Sequence, residues 1–228
     1  MKRIIIILLA AIPALTYTSC KLKYTTDNIT EKIVEPHYPT ITLKGDQFIS
    51  IPVSATGTYT DAGAQGLDDN DGKIYDLIPE SAEVDLTTAG FYTVIYSFKN
   101  TDGYGSTATR FILVTGVDSA TDYTGEYRRT SNNSPMNVEK VATGLYKTDN
   151  VGGVLLPSAF ALTAYFGLID DSTIVVPEQP TDAGILYCSN SFLRTMTDTT
   201  GGATTDTTIS WIVRNPSFGT AQRTFSHQ

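Results

Sequence analysis

Apolar and polar residues alternate with a period of two along the best-defined stretch of the chain, residues 91–98. Tyr92, Val94 and Tyr96 share one face of this stretch, and Ile95 lies on the other. Period two is the spacing of side chains along a β-strand, and no stripe with the helical period competes with it. Large side chains on both faces indicate a strand that is buried on both sides. The stretch therefore predicts a buried strand.

A turn and a second alternating strand follow directly. The segment Asn100–Gly103 is typical of a turn, and residues 107–114 alternate again, so the two runs predict a β-hairpin. Several short strands at this spacing are typical of a β-sandwich. The other short apolar runs before residue 116 are 41–43, 48–53, 73–78 and 82–86.

Short runs of the same kind continue through residues 122–228, after a short connection at 117–121. The segment 158–169 fits both a strand and a helix. We expect eight or so strands in a second β-sandwich or a small β-barrel. The pattern thus predicts an all-β protein of two domains, residues 37–117 and residues 122–228. The 35 threonines of the chain favour strands in the same way.

The N-terminus follows a different pattern. Lys2 and Arg3 precede an apolar stretch over residues 4–15, and Cys20 follows shortly afterwards. A charged start and an apolar stretch of about 12 residues are typical of a signal peptide. The stretch is too short to cross a bilayer core of about 30 Å, so a transmembrane anchor fits less well.

These residues resemble a bacterial lipoprotein signal peptide, residues 1–19, with cleavage between Ser19 and Cys20. The position three residues before the cysteine is Tyr17, where the usual motif has leucine. The resemblance implies lipidation of Cys20, a tether over residues 20–36, and an outer-membrane, lipid-anchored protein at the cell surface. A secreted protein without lipid is the alternative, and the periplasmic face of the membrane stays open as a location.

Lipidation of Cys20 leaves Cys188 as the one thiol of the mature chain, because the sequence holds two cysteines. No disulfide can then form within the chain. The residues before Cys188 are apolar and no histidine is near in sequence. We therefore expect a small strand residue that is buried and not a reactive thiol.

The first domain contains four sequence blocks, Pro39–Asp46, Tyr59–Ala64, Asp71–Gly72 and Ala89–Tyr96. These blocks resemble the bacterial Ig-like domains of cell-surface proteins and lipoproteins. Such domains act as spacers or stalks, and sometimes as weak binding modules. The Cys, Trp, Cys pattern of antibody domains is absent from the sequence, so the resemblance is to this bacterial branch of the sandwich architecture.

Three blocks in the second domain, Gly144–Tyr146, Asp171–Ile174 and Thr207–Ile212, resemble the C-terminal domains of uncharacterised Bacteroidetes lipoproteins. Relatives of this kind often accompany outer-membrane systems for glycan uptake. The resemblance implies that the domain binds a surface glycan or an outer-membrane protein.

The charge of the chain argues against one class of partner. With 16 basic and 24 acidic residues the formal net charge is −8. No excess of Lys and Arg is present to neutralise phosphates, so nucleic-acid binding is not expected.

No motif indicates a metal or a cofactor. The acidic segment Leu67–Gly72 fits an EF-hand loop poorly, because ligand positions 1 and 12 fall on Leu67 and Ile78. A turn explains the segment without calcium. His37 and His227 lack the context of a catalytic base, and no Gly-x-Ser-x-Gly motif or phosphate loop is present.

Aromatic side chains in the second domain are the candidates for a binding site, because sugars stack on exposed rings. Trp211 alternates with Ile209 and Val213, which also fits a core position. We expect a non-enzymatic protein with an Ig-like stalk that presents a binding domain. There are two alternatives: an enzyme that acts on glycans through two carboxylates, and a purely structural surface protein. The candidate ligand-binding residues are Tyr165, Phe166, Tyr187 and Trp211.

Overall fold

The computed structural model describes residues 36–54, 56–198 and 204–228. Every regular element of these residues is a β-strand, which confirms the all-β prediction. The predicted signal peptide, the lipidation site Cys20 and all but the last residue of the tether lie outside the described residues. Within the described residues no helix has the length and hydropathy that a membrane span needs.

The first six strands form an N-terminal sandwich of two three-stranded sheets. One sheet has the order β1-β3-β4 and the other has the order β2-β6-β5. Strand β2 runs parallel to β6, and the other pairs are antiparallel. The strands are β1 (Thr40–Leu43), β2 (Phe48–Pro52), β3 (Ala64–Leu67), β4 (Ile74–Leu77), β5 (Gly90–Lys99) and β6 (Gly105–Thr115).

The hairpin predicted from the alternating pattern is the pair β5 and β6. Its register runs without interruption from Gly90 opposite Val114 to Lys99 opposite Gly105. The expected run at 82–86 is not a strand, and only the isolated bridge of Ser81 to Ile95 lies beside it. The long alternation of β5 and β6 gave a clear signal, whereas the three apolar residues of 82–86 did not distinguish a strand from a loop that packs Val84 and Leu86 on the core.

The remaining nine strands form one continuous sheet, here called the curled sheet. Its order is β11-β10-β9-β8-β7-β15-β14-β13-β12, and all its pairs are antiparallel. The strands are β7 (Gly125–Arg129), β8 (Pro135–Ala142), β9 (Leu145–Thr148), β10 (Ala164–Leu168), β11 (Ile174–Val175), β12 (Gln179–Thr181), β13 (Gly184–Asp198), β14 (Thr204–Arg214) and β15 (Arg223–His227).

The curled sheet bends until its β11 end meets β13, the strand next to its other end. Thr173, next to β11, forms an antiparallel bridge with Phe192 of β13. The Leu193 N–H also donates to the Ser172 carbonyl at 2.8 Å. The ambiguous segment 158–169 resolves into a loop followed by strand β10. Of the two expected forms, a second sandwich or a small barrel, the structure takes the barrel-like one.

Each module encloses its own hydrophobic core. The core of the sandwich has five buried hydrophobic residues, among them Val94, Tyr96 and Ile112. The core of the curled sheet has eighteen, including Trp211 and Phe166. In both, the inward side chains come from alternate positions of the strands, as period two requires.

The outer face of β10 packs on the sandwich, against the face of the β2-β6-β5 sheet that is opposite the sandwich core. The ring of Phe48 lies between the rings of Phe111 and Tyr165, with centroid distances of 4.7 and 3.8 Å and interplanar angles of 7° and 11°. Stacked aromatic pairs contribute about 0.5–1.5 kcal/mol beyond the burial of their area. These three rings are called the junction stack below.

Gly167 of β10 allows the two modules to approach so closely. A Cβ atom at Gly167 would lie 2.6 Å from Cδ1 of Leu113 and 2.6 Å from Cε2 of Phe91. Nearby, the Thr115 hydroxyl donates to the Leu168 carbonyl at 2.6 Å. The two modules are therefore packed on each other and are not joined by residues 117–121 alone.

A buried ion pair stabilises the sandwich. Arg110 donates through Nη1 to Oδ1 of Asp61, and the two side chains are 1% and 8% exposed. The Tyr59 hydroxyl donates to Oδ2 of Asp61 at 2.7 Å, the Tyr96 hydroxyl donates to Oδ1, and the Gly63 N–H donates to Oδ1 at 2.7 Å. Arg110 also donates to main-chain carbonyls of the β1–β2 loop. The buried charges are therefore paired and hydrogen-bonded.

This network shifts the pKa values of its members. Burial acts to raise the pKa of Asp61, but hydrogen bonds from Arg110, Tyr96 and Tyr59 outweigh it and lower the pKa to about 2. Burial, together with the Asp61 carboxylate, raises the pKa of Tyr59 and of Tyr96 to about 12. The block Tyr59–Ala64, one of those that carry the Ig-like resemblance, thus supplies the acceptor of a buried network.

Candidate functional site

Two of the four rings predicted to bind a ligand lie inside the curled sheet. Phe166 and Trp211 are 0% exposed and contact each other edge to face at a centroid distance of 5.5 Å. The Trp211 indole N–H donates to the Val151 carbonyl at 2.7 Å. A ring without an exposed face cannot stack on a sugar, so the structure corrects the binding prediction for these two residues. Both alternate with other inward residues of their strands, which is the physical reason.

A third predicted ring, Tyr165, lies at the contact between the modules. One face of its ring is covered by Phe48 in the junction stack. The ring borders two clefts of about 250 and 370 Å³, which lie where Gln47 and Phe48 of the sandwich meet the curled sheet. Tyr165 therefore has a structural contact that the sequence did not indicate.

The fourth predicted ring, Tyr187, is 42% exposed, and its neighbour on the same face of β13, Ile185, is 53% exposed. The two side chains border an open groove of about 360 Å³ on the outside of the curled sheet, which we call the Tyr187 groove. An exposed aromatic ring beside an aliphatic side chain offers a flat apolar surface to a ligand. The lining residues are Ile185, Tyr187, Val213, Arg214, Asn215, Pro216, Phe218 and Thr220.

Strand register brings Tyr187 and Arg214 together. The two residues lie directly opposite each other in the β13–β14 pair. Because Leu186 and Val213 point into the core, the alternation of side chains places Tyr187 and Arg214 on the outer face. Opposite residues of an antiparallel pair have Cβ atoms about 5 Å apart, so an aromatic ring and a guanidinium line the same wall.

The loop after β14 forms the other wall of the groove. Asn215 is 8% exposed, and its side-chain amide donates to the carbonyls of Ala183 and Ile185 at 3.1 and 2.9 Å. Its Oδ1 accepts the Ser217 N–H at 2.9 Å. These bonds tie the loop to the start of β13. The loop therefore holds Phe218 beside the exposed residues of the strand.

A β-bulge follows the residues of β13 that border the groove. The register of β13 on β14 shifts between Ser189 and Phe192, and Asn190 has a φ of 51°. Bulges of this kind redirect the strand and are common next to binding sites. The Asn190 amide donates to Oε1 of Gln222 at 2.7 Å, and the Gln222 amide donates to the Asn190 carbonyl at 3.2 Å. The bulge and the loop that follows β14 are thus fastened to each other.

Cys188 lies next to the groove but points toward the core. It packs against the hydrophobic core of the curled sheet. Burial raises the pKa of its thiol to about 12, a shift that the charge of Arg223 opposes. The thiol therefore stays protonated at neutral pH and is a poor nucleophile.

The adjacent residues Arg128 and Arg129 lie on opposite faces of β7, which pairs with β8 on one side and β15 on the other. Arg128 forms an ion pair with Glu126 at 2.5 Å on the outside. Arg129 donates to the carbonyls of Gly152 and Gly153 at 3.4 and 3.1 Å.

The acidic segment before β4 has a structural role in the sandwich. Asp68 is 1% exposed, and its two carboxylate oxygens accept the N–H groups of Asn70 and Thr101 at 3.0 and 2.9 Å. Asp71 pairs with Lys73 at 2.6 Å. No group of three or more His, Cys, Asp or Glu residues has the arrangement of a metal site in the described part of the chain.

The sequence missed three residues that build the groove: Arg214, Phe218 and Ile185. A signal for Arg214 was present, because the inward alternation of Ile209, Trp211 and Val213 places it on the outer face. Phe218 gave no signal. Its position depends on a loop whose conformation is set by the contacts of Asn215 with a distant strand.

Comparison with known proteins identifies one of the two modules. Residues 41–114 match the family described as bacterial surface protein, Ig-like domain. No curated protein matches the chain.

Two solved structures are similar to the chain at low scores. A lipoprotein of Bacteroides thetaiotaomicron shares 19% identity at a TM-score of 0.35, over 84% of this chain and 100% of that one. A structure from Clostridium perfringens ZmpB, of CBM51-2 in complex with GlcNAc and INT domains, shares 14% identity at a TM-score of 0.27. In that case the match spans 83% of this chain and 48% of the other. The family match covers the sandwich only: the N-terminal module is an Ig-like domain of the bacterial surface protein type, and the Tyr187 groove lies outside it.

Proposed function

We propose that this protein is a non-enzymatic, lipid-anchored protein of the cell surface that binds glycans in the Tyr187 groove. The exposed ring of Tyr187, set beside Ile185 and Arg214 on the outside of the curled sheet, is the observation that carries the proposal. Glycan sites typically combine an aromatic ring, on which the apolar face of a sugar stacks, with side chains that form hydrogen bonds to hydroxyl groups. The groove offers both.

The packing of the two modules supports this function. A binding site on a rigid body is held in one geometry, which lowers the cost of ordering when the ligand binds. The junction stack and the close contact at Gly167 attach the curled sheet to the Ig-like domain over a packed surface. The Ig-like domain then acts as a firm support that holds the groove away from the membrane.

The carboxylates of the curled sheet favour binding over hydrolysis as the function. Asp170 accepts hydrogen bonds from the N–H groups of Ser172 and Thr173 at 2.8 and 2.7 Å and so closes a turn. Glu126 is paired with Arg128. The lining of the groove contains no Asp or Glu, whereas a glycosidase of the usual kind needs two carboxyl groups beside the sugar.

A glycan array with the purified full chain tests the binding site. Replacing Tyr187 with Ala removes the stacking surface and is expected to weaken binding about tenfold, the equivalent of about 1.4 kcal/mol. Phe192→Ala is the matched control, because Phe192 lies on the same strand at 37% exposure but outside the groove. Binding to no glycan, or an equal loss in both variants, contradicts the proposal. Capture of a protein partner through Tyr187 without any glycan binding also contradicts it.

Membrane fractionation tests the lipid anchor independently of the groove. Cys20→Ser is expected to release the protein from the membrane fraction, because the acyl chains have no other attachment point in the predicted lipoprotein. Cys188→Ser is the control and is expected to remain membrane-bound. Digestion of intact cells by added protease then distinguishes the cell surface from the periplasmic face.

A further inference from the structure

The Tyr187 groove is a positive site on an acidic protein. Arg214 is the one charged residue in its lining, while the chain has a net charge of −8. Arg110 and Arg128 each pair with a carboxylate. Within the described ranges, Arg214 has no such partner within 4.0 Å. Its charge is therefore available to a ligand.

The guanidinium of Arg214 is oriented before any ligand arrives. Its Nε donates to the Ser189 hydroxyl at 2.8 Å. This bond holds one edge of the guanidinium against β13 and leaves the terminal Nη groups for other acceptors. A planar fork of this kind matches the geometry of a carboxylate or a sulfate, which it binds through two parallel hydrogen bonds.

A second positive charge lies behind the aromatic wall of the groove. The guanidinium of Arg223 lies 5.3 Å from the ring centroid of Phe218, and Arg223 is 6% exposed. It donates to the carbonyls of Gly152, Gly219 and Ala221, and in the described part of the chain no carboxylate pairs with it. Because a buried charge is poorly screened, it raises the positive potential in the adjoining groove.

We infer that the Tyr187 groove takes an acidic glycan, whose carboxylate or sulfate pairs with Arg214 while the sugar ring packs on Tyr187. The inference rests on the proposed function, because it specifies the class of glycan that binds at that site. Placing the positive groups in and behind the groove favours an anion over a neutral sugar, whereas Tyr187 alone would accept either.

The test compares charged and neutral forms of the same sugar backbone. The probes are oligogalacturonate and its methyl ester, which differ in the carboxylate, and keratan sulfate and poly-N-acetyllactosamine, which differ in the sulfate. Arg214→Gln removes the charge and keeps hydrogen-bonding groups. Arg194→Gln changes the net charge equally on the neighbouring strand β13, at an exposed position outside the groove lining.

We expect at least one acidic probe to bind at least tenfold more tightly than its neutral form, and Arg214→Gln to abolish that difference. Arg194→Gln is expected to keep it. The acidic probe that shows the difference identifies carboxylate or sulfate as the recognised group. Equal affinity for acidic and neutral forms, or an equal loss in both Arg variants, overturns the inference.

Failure of the inference is distinguishable from failure of the proposed function. If neutral glycans bind and Tyr187→Ala abolishes their binding, the proposed function stands and the acidic specificity is wrong. If neither the array nor these four probes show binding, the proposed function is wrong and the inference falls with it.

Discussion

In the Ig-like sandwich the buried Arg110 faces the carboxylate of Asp61. In the curled sheet the buried Arg223 donates to main-chain carbonyls and lies against the ring of Phe218, with no carboxylate partner among the described residues. Both arginines are at most 6% exposed. In the sandwich the charge is neutralised inside the module, so it contributes to the fold and offers nothing to a ligand. In the curled sheet the charge is satisfied by hydrogen bonds but not neutralised. A buried arginine can therefore have all its hydrogen bonds satisfied without having its charge neutralised. A module that contains such an arginine keeps a positive electrostatic potential at the nearby surface.

The sizes of the two cores explain how the curled sheet tolerates a buried arginine that is not neutralised. The curled sheet has eighteen buried hydrophobic residues in its core, whereas the sandwich has five. A large apolar core stabilises a module by burial alone, since each fully buried large side chain contributes about 1.5–3 kcal/mol. A small core depends more on a polar network such as that around Asp61. Substitutions in each module test whether the apolar core stabilises the curled sheet and the polar network stabilises the sandwich.

The largest effect is expected from Trp211→Ala in the core of the curled sheet. The change leaves a cavity and removes the indole hydrogen bond to Val151, so we expect a loss of about 3–5 kcal/mol in the free energy of unfolding. Urea denaturation followed by circular dichroism measures it. Tyr187→Ala, on the outer face, is expected to stay within about 0.5 kcal/mol. A loss below about 1 kcal/mol for Trp211→Ala would show that the curled sheet does not rely on its core.

Asp61→Ala tests whether the sandwich relies on its polar network. Removing the carboxylate leaves Arg110 buried without a counter-charge, which costs about 3–5 kcal/mol in comparable buried pairs. Asp76→Ala is the control, since Asp76 pairs with Lys44 at 2.8 Å but has a side chain that is 76% exposed. Exposed pairs contribute about 0–1 kcal/mol. If urea denaturation shows a similar loss in the free energy of unfolding for both variants, the pair of Arg110 and Asp61 does not stabilise the sandwich more than an exposed pair does.

Gly167→Ala tests the contact between the modules. The added Cβ would lie 2.6 Å from atoms of Leu113 and Phe91, and overpacking of this kind costs about 1–3 kcal/mol. Thermal unfolding is expected to begin at a lower temperature. Gly219→Ala is the matched control, because nothing lies within 4 Å of its added Cβ. Equal melting curves for the two variants would indicate that the modules are not packed as described.

The smallest expected effect is the pH dependence that Asp61 confers. Its pKa is lowered from 3.8 to about 2 in the folded state. The unfolded state therefore binds the proton more readily, and the stabilisation is complete above pH 4 and is lost as the pH falls toward 2. The difference amounts to about 2 kcal/mol. Denaturation midpoints between pH 5 and 2 are expected to fall less steeply in Asp61→Ala, and an unchanged slope would contradict the assignment.

The strands with long alternation could be predicted from the sequence because the polarity of each residue indicates whether its side chain faces the core or the outside. This holds for β5, β6 and the inward positions of β14, where Trp211 belongs to the core. The prediction of a strand at 82–86 was wrong, since Val84 and Leu86 pack on the core from a loop. Of the four rings predicted to bind a ligand, Tyr187 borders the groove, Tyr165 packs in the junction stack, and Phe166 and Trp211 lie in the core.

The amino-acid sequence by itself determined the all-β class, the Ig-like character of the first module and the alternation that sorts residues into inner and outer faces. These properties follow from period-two patterns and from blocks that are contiguous in the chain. Only the tertiary structure decided that the modules pack through the junction stack, that Tyr187 faces Arg214, and that Phe218 and Arg223 lie beside them. The junction stack and the pair of Tyr187 and Arg214 join residues distant in the sequence, and the place of Phe218 depends on a loop that is tied to β13. These contacts therefore depend on strand register, on the closure of the sheet and on the conformation of one loop, which no local pattern encodes.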